Sequence, residues 1–133
     1  MKRRTAREKA LQAVFQIDMS QATSEDAIEH VLDGVPTDPY LTDLVNGVVE
    51  HKEEIDRLIK NNLEKWTIER LASVDRNILR ISVYEMLYCK EEVPVNVVMD
   101  EAIEIAKVFG DDQSSKFINS VLSKVKQTLV GKE

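Results

Sequence analysis

Apolar residues return along this chain at intervals of three and four, the spacing of amphipathic helices. Ala6, Ala10, Val14 and Ile17 draw one apolar line, with Leu11 at its edge. Ser24 begins a short segment in which Ala27, Ile28, Val31 and Leu32 recur at helical spacing, and Gly34 stands where a C-terminal cap belongs. Asp38-Pro39 reads as an N-cap followed by proline at the first helical position. The long segment beyond it places Leu41, Leu44, Val45, Val48, Val49, Ile55, Leu58, Ile59 and Leu63 on one face. Thr67 opens a short helix through Leu71, and Ser73 is a further candidate cap. From Ser73 to Cys89 the chain is apolar almost all round, as expected for a helix at the centre of a bundle. The alternation of Leu79, Ile81 and Val83 also suits a strand, but no second β-like run exists to pair with it. Pro94 and Asn96 open the next helix, whose stripe Val98, Ala102, Ile105, Ala106 and Phe109 is closed by Gly110. Asp111 and Asp112 put negative charge at the start of a last helix, where the dipole favours it; its stripe is Ile118, Val121, Leu122, Val125 and Leu129. Gly131-Lys132-Glu133 reads as a short frayed tail. The pattern predicts an all-α compact bundle of six or seven helices, with no long linker and no repeat.

The length of 133 residues fits a single helical domain spanning 1–133, or two small helical halves sharing a core. A chain of this size buries about two-thirds of its unfolded surface and needs no disulfide or metal to fold. Four glycines and three prolines are too few for a β-sandwich or barrel with many tight turns. No apolar run approaches the roughly 18 residues of a membrane span, and the first residues lack the apolar stretch of a signal peptide. Cys89 is the one cysteine, so the expected compartment is the cytoplasm, and Cys89 itself reads as a small buried hydrophobe. His30 and His51 stand without a Cys or second His at ligand spacing, so no metal and no cofactor is expected. Catalytic patterns are equally absent. The glycines are scattered singly, so there is no phosphate loop, and no nucleophile elbow occurs. Carboxylate pairs such as Glu101/Glu104 and Asp111/Asp112 fit solvated faces and helix starts. His51 invites comparison with histidine phosphotransfer bundles, which need small neighbours; here Lys52-Glu53-Glu54 follows it. No enzymatic activity is expected.

Charge changes the picture. The net charge of −6 and a pI near 5.0 argue against a nucleic-acid binder, but the distribution is uneven. Residues 1–10 carry a net +4, residues 18–56 a net −10, and the remainder balances. Screening beyond about 8 Å at physiological salt lets a local basic cluster act on an acidic body. Arg3 and Arg7 extend the apolar line of the first helix toward its N-terminus, with Arg4 beside them. Buried guanidinium groups need partners, so these first turns are expected to project beyond the core. Positive charge at a helix N-terminus is unfavourable to the dipole, and its presence at three arginines points to use. Arginine binds phosphate bidentately and stacks on unpaired bases, as single-stranded RNA recognition requires. The plain alternative is a solubilising N-terminus. Its functional counterpart is an acidic helical adaptor that binds only a basic protein partner through residues 18–56. On the last helix Phe117 lies off the centre of the stripe, on the side of Ser120, Lys116 and Lys124. That position suits either closing the core edge or stacking a splayed base.

The segment Arg3-Arg4-Thr5-Ala6-Arg7-Glu8-Lys9-Ala10-Leu11-Gln12-Ala13-Val14-Phe15-Gln16 resembles the opening helix of the NusB family of transcription antitermination factors. Asp75 through Met86 agrees with a second family block. Val93-Pro94 through Lys107, then Phe109-Gly110, Ser115 to Asn119 and Val121-Leu122, agree with the rest. The resemblance implies two packed three-helix halves and an activity of binding without catalysis. The implied ligands are boxA-type single-stranded RNA of ribosomal RNA leaders and the ribosomal protein NusE, within the elongating RNA polymerase complex. By position it implies RNA contacts at Lys2, Arg3, Arg4, Arg7, Gln12, Lys116 and Phe117, and partner contacts at Phe15 and Asp75. Phe15 stands where a tyrosine is common, Ser120 where glycine is usual, and Asp100 where asparagine is usual. A related domain also occurs fused to RNA cytosine methyltransferases, but no cofactor-binding α/β domain follows here, so a stand-alone factor is expected. The resemblance leaves open whether the free chain is a monomer or a homodimer.

Overall fold

A computed structural model describes residues 1–131; the expected tail at Lys132 and Glu133 lies outside the described residues. Among the described residues there are seven α-helices, one short 3-10 helix and no strand. In chain order the helices are α1 (Arg3–Ser20), α2 (Ser24–Leu32), α3 (Pro39–Glu50), α4 (Lys52–Asn61), α5 (Ser73–Tyr88), α6 (Val95–Phe109) and α7 (Ser114–Val130). The 3-10 helix, Ile68–Arg70, joins α4 to α5. The all-α expectation holds, with the larger of its two helix counts. Among the described residues no helix is long and apolar enough to cross a membrane.

Local chemistry sets most boundaries. Thr23 caps α2 by accepting the Asp26 N–H at 3.1 Å. The helix then ends on Asp33 at φ 47° and Gly34 at φ 84°, a left-handed exit that glycine enters without steric penalty. Asp38 caps α3 by accepting the Tyr40 N–H at 2.8 Å, with Pro39 in the first turn. Two expectations need correction. Ser73 is not a cap: Ala72 holds that position, and the Ser73 carbonyl instead accepts the Asn77 amide at 2.8 Å. The long segment after Pro39 is two helices, because the backbone leaves helical geometry at His51, with φ −107° and ψ 21°. His51 donates its N–H to Gly47 and accepts that of Ile55, so the break orphans neither of its backbone groups. Its ring stacks on Tyr88 of α5, with centroids 4.3 Å apart, and Tyr88 in turn stacks on Tyr84.

Helices α1, α2 and α3 pack on one another, as do α5, α6 and α7, and α4 lies chiefly against α5. The two halves meet where α5 crosses α1 and α3, so α5 is buried from Asn77 to Met86. Leu79 and Val83 are fully enclosed there, alongside Leu41 and Leu44 of α3. Close approach of α3 requires Gly47. A Cβ at that position would lie 2.1 Å from the Tyr84 ring, whose hydroxyl donates to Asp43 at 3.0 Å. Two arginines of α5 pair with carboxylates on other helices. Arg76 donates to Asp18 of α1 at 2.7 Å, and Arg80 donates to Asp56 of α4 at 2.9 and 3.0 Å. Burial pushes the Asp18 carboxyl up, but hydrogen bonds from Arg76 and Asn77 and the charge of Arg80 outweigh it and hold the group below the usual range. Cys89 is buried as expected. Burial drives its thiol up to about 11, which keeps it protonated.

Candidate nucleic-acid interface

Helix α1 begins without a side-chain cap and without an acid in its first turn, so its positive end carries Lys2, Arg3 and Arg4 outward. Arg3 is exposed, its guanidinium 4.5 Å from the centroid of the Tyr40 ring and 3.6 Å from a Glu92 carboxylate oxygen. Arg4 is exposed and donates to Glu101 at 2.8 Å. Both ion pairs involve exposed arginines, where solvent and salt screen most of the attraction. Phosphate oxygens can therefore replace these carboxylates at small expense.

Arg7 behaves differently, and the expectation that it projects beyond the core is corrected. It is 3% exposed. Its guanidinium is fixed by Glu85 of α5, which is 1% exposed, with Nε to Oε1 at 3.0 Å and Nη2 to Oε2 at 2.9 Å. The Tyr40 hydroxyl donates to the same carboxylate at 2.5 Å, and Glu101 approaches Arg7 at 3.7 Å. Burial works against the charged guanidinium, yet the hydrogen bonds and charge of Glu85 raise its pKa further. Burial and Glu85 also push the Tyr40 hydroxyl well above its ordinary value. The missing partner was Glu85, and with it the arginine is accommodated inside.

Of the other residues expected at the interface, Gln12 and Lys116 are exposed and Phe15 is half-buried on α1. Phe117 is half-buried and packs against the core at the start of α7. It lines two shallow grooves of about 270 Å³ each, and Trp66 lines both with it. Asp75 lines the first groove. It is 9% exposed, and its buried Oδ1 has no hydrogen-bond partner. Burial raises its carboxyl pKa and the nearby Asp111 adds to this, against the opposing Ser114 hydroxyl. The structure thus gathers Arg3, Arg4 and Arg7 through Tyr40, Glu85 and Glu101, and gathers Asp75 with Phe117. The two clusters share no residue. Sequence reasoning missed Trp66, which is 55% exposed in the connection after α4. The signal was available: the one tryptophan of the chain stands beyond any apolar stripe, between Lys65 and Thr67.

These features define an all-α bundle that presents cations at an exposed helix start beside an acidic body. The chain belongs to the NusB family, whose profile matches residues 4–127. It is 56% identical to transcription antitermination protein NusB of Bacillus subtilis over 129 residues, covering 97% of this chain and 98% of that protein. The solved structure of T. maritima NusB superposes with a TM-score of 0.86 at 37% identity, covering 96% of this chain and 92% of that one. A structure of antitermination factors NusB and NusE in complex with double-stranded RNA superposes with the same TM-score at 28% identity. It covers 95% of this chain and 96% of the other.

Proposed function

We propose that this chain is a transcription antitermination factor that acts in the cytoplasm by binding, without catalysis. It holds boxA-type single-stranded leader RNA of ribosomal RNA operons together with NusE and joins the elongating RNA polymerase complex. The observation that carries the RNA reading is the state of Arg3 and Arg4. Both are exposed at the positive end of α1, and their present carboxylate partners are surface groups that phosphate can displace. Lys2 adds charge ahead of them, Gln12 and Lys116 extend the surface, and Phe117 offers a ring face for a base. Arg7 serves as a positioning residue, since its ion pair with Glu85 anchors the first turns of α1 to α5.

NusE is proposed to meet the half-buried Phe15 and the rim of the first turn of α5 beside Asp75. Lacking a hydroxyl, Phe15 contributes apolar contact, while the net charge of −10 over residues 18–56 attracts a basic partner. Residues 1–133 act as one domain in this reading. Fluorescence anisotropy of a labelled boxA-type RNA, with and without NusE, tests it. The expected result is salt-sensitive RNA binding by the chain alone, strengthened by NusE. NusE binding without any RNA affinity would return the chain to the acidic-adaptor class.

A further inference from the structure

Tyr40, in the first turn of α3, meets both a buried and an exposed arginine of α1. The Arg7 guanidinium lies 5.8 Å from its ring centroid and is locked to the buried Glu85. The exposed Arg3 lies over the same ring at 4.5 Å. Both distances fall within the reach of a cation–π attraction. The ring itself is held in place. Its hydroxyl donates to Glu85 at 2.5 Å, its backbone N–H donates to the Asp38 cap at 2.8 Å, and its body packs against the core. Arg3 has the reverse character: a long side chain at the uncapped start of a helix, with many rotamers to lose on binding. With its Cζ over the Tyr40 ring, its Nη2 stands 3.6 Å from a carboxylate oxygen of Glu92. The group thus already presents an N–H edge to an anion while the ring carries it.

We infer that Tyr40 is a positioning residue for RNA binding: its ring holds the Arg3 guanidinium with an N–H edge turned outward to receive a phosphate oxygen. The inference rests on the RNA-binding reading above and adds to it a residue of α3 that acts through Arg3. Holding Arg3 before RNA arrives removes part of the rotamer entropy that binding would otherwise cost. The platform is anchored in the core, since Glu85 fixes Tyr40 and Arg7 together. A buried ion pair between α1 and α5 thereby sets the place of a surface cation. Arg4 stands over no ring among the described residues, so Tyr40 should act through Arg3 and not through Arg4. A plain packing role for Tyr40 would instead weaken the contribution of both arginines alike.

Tyr40→Phe and Tyr40→Leu both lose the hydroxyl given to Glu85 and differ in the aromatic face. In titrations of a labelled single-stranded boxA-type RNA with the full chain, Tyr40→Leu is expected to bind about 2- to 5-fold more weakly than Tyr40→Phe. In an Arg3→Ala background the two variants should bind alike, because the ring then has no exposed cation to hold. In an Arg4→Ala background the difference should persist. A measurement on the wild-type chain stands beside these, should leucine disturb the packing. NMR of the RNA-free protein is expected to show the Arg3 δ-methylene protons shifted upfield by the Tyr40 ring, and the Arg3 Nε–H ordered on the nanosecond timescale. Equal affinities of Tyr40→Phe and Tyr40→Leu overturn the inference and leave the RNA reading standing. So does an Arg3 side chain that moves freely and shows no ring-current shift. A phenylalanine–leucine difference that survives in Arg3→Ala returns Tyr40 to packing alone. Failure of the wild-type chain to bind RNA overturns both readings.

Discussion

Arg7 and Glu85 stand 78 residues apart in the chain and face each other across the α1–α5 contact, joined through both guanidinium Nε and Nη2. With Tyr40 donating to the same carboxylate, the pair ties three helices together beneath the exposed arginines. Removing one partner leaves the other charged and buried. Arg7→Ala is expected to cost about 3–5 kcal/mol of stability in denaturant melts. Replacing the whole triad by apolar residues of similar volume, Arg7→Met with Glu85→Leu and Tyr40→Phe, should recover most of that loss. An Arg7→Ala protein melting like wild type would remove the pair from the stabilising contacts.

Arg3 and Arg4 should show the opposite profile. Their ion pairs with Glu92 and Glu101 are screened by solvent, so the double alanine variant should melt close to wild type. Its affinity for single-stranded RNA should fall, and the slope of log affinity against log salt should flatten by about 0.7 for each phosphate no longer neutralised. A wild-type salt slope in this variant would contradict the assignment.

Acid stability should depend on Asp18. Its folded pKa is depressed below the ordinary carboxylate value, so its contribution is present above that value and is lost as pH falls through the folded pKa. Asp18→Asn should therefore be less stable than wild type near neutral pH, because Arg76 and Arg80 lose their anionic partner on α1. The two proteins should converge as both are acidified. Melts across an acid series check this, and a constant difference down to strongly acidic pH would refute it.

Gly47 is expected to tolerate no side chain without rearrangement. Gly47→Ala places a methyl group inside the Tyr84 ring, and either α3 or the tyrosine must move. A loss of about 1–3 kcal/mol is expected, of the size seen when cores are overpacked. Combined with Tyr84→Ala, the substitution should add little further loss. Simple additivity in that double-mutant cycle would show that the ring is not the obstacle.

NusE is expected to raise RNA affinity, and RNA must then raise NusE affinity by the same factor. Calorimetric titrations in both orders measure the two factors. Independent binding would place the ligands on uncoupled faces.

The all-α class, most helix starts and the extent of the central helix are legible in the order of residues alone. Those features depend on residues within a few positions of each other: Asp38 ahead of Pro39, Thr67 ahead of the 3-10 helix, the recurring apolar positions of α6 and α7. Motif spacing likewise sufficed to indicate the family. Local pattern did not reveal the break at His51, because the apolar stripe continues through it and the ring finds its place only against Tyr88 on α5. Nor did it reveal the fate of Arg7, which extends the apolar line of α1 as Arg3 does. Whether a guanidinium on such a line is buried depends on a carboxylate arriving from elsewhere in the fold. Glu85 meets Arg7, while Arg3 and Arg4 find only partners open to solvent. Trp66, Asp75 and Phe117 likewise come from three separate stretches and share a groove only once α5 and α7 have packed. Helical periodicity records which face of a helix is turned inward; only the packed partner decides whether a charge there is compensated, and so whether it builds the core or remains free to bind.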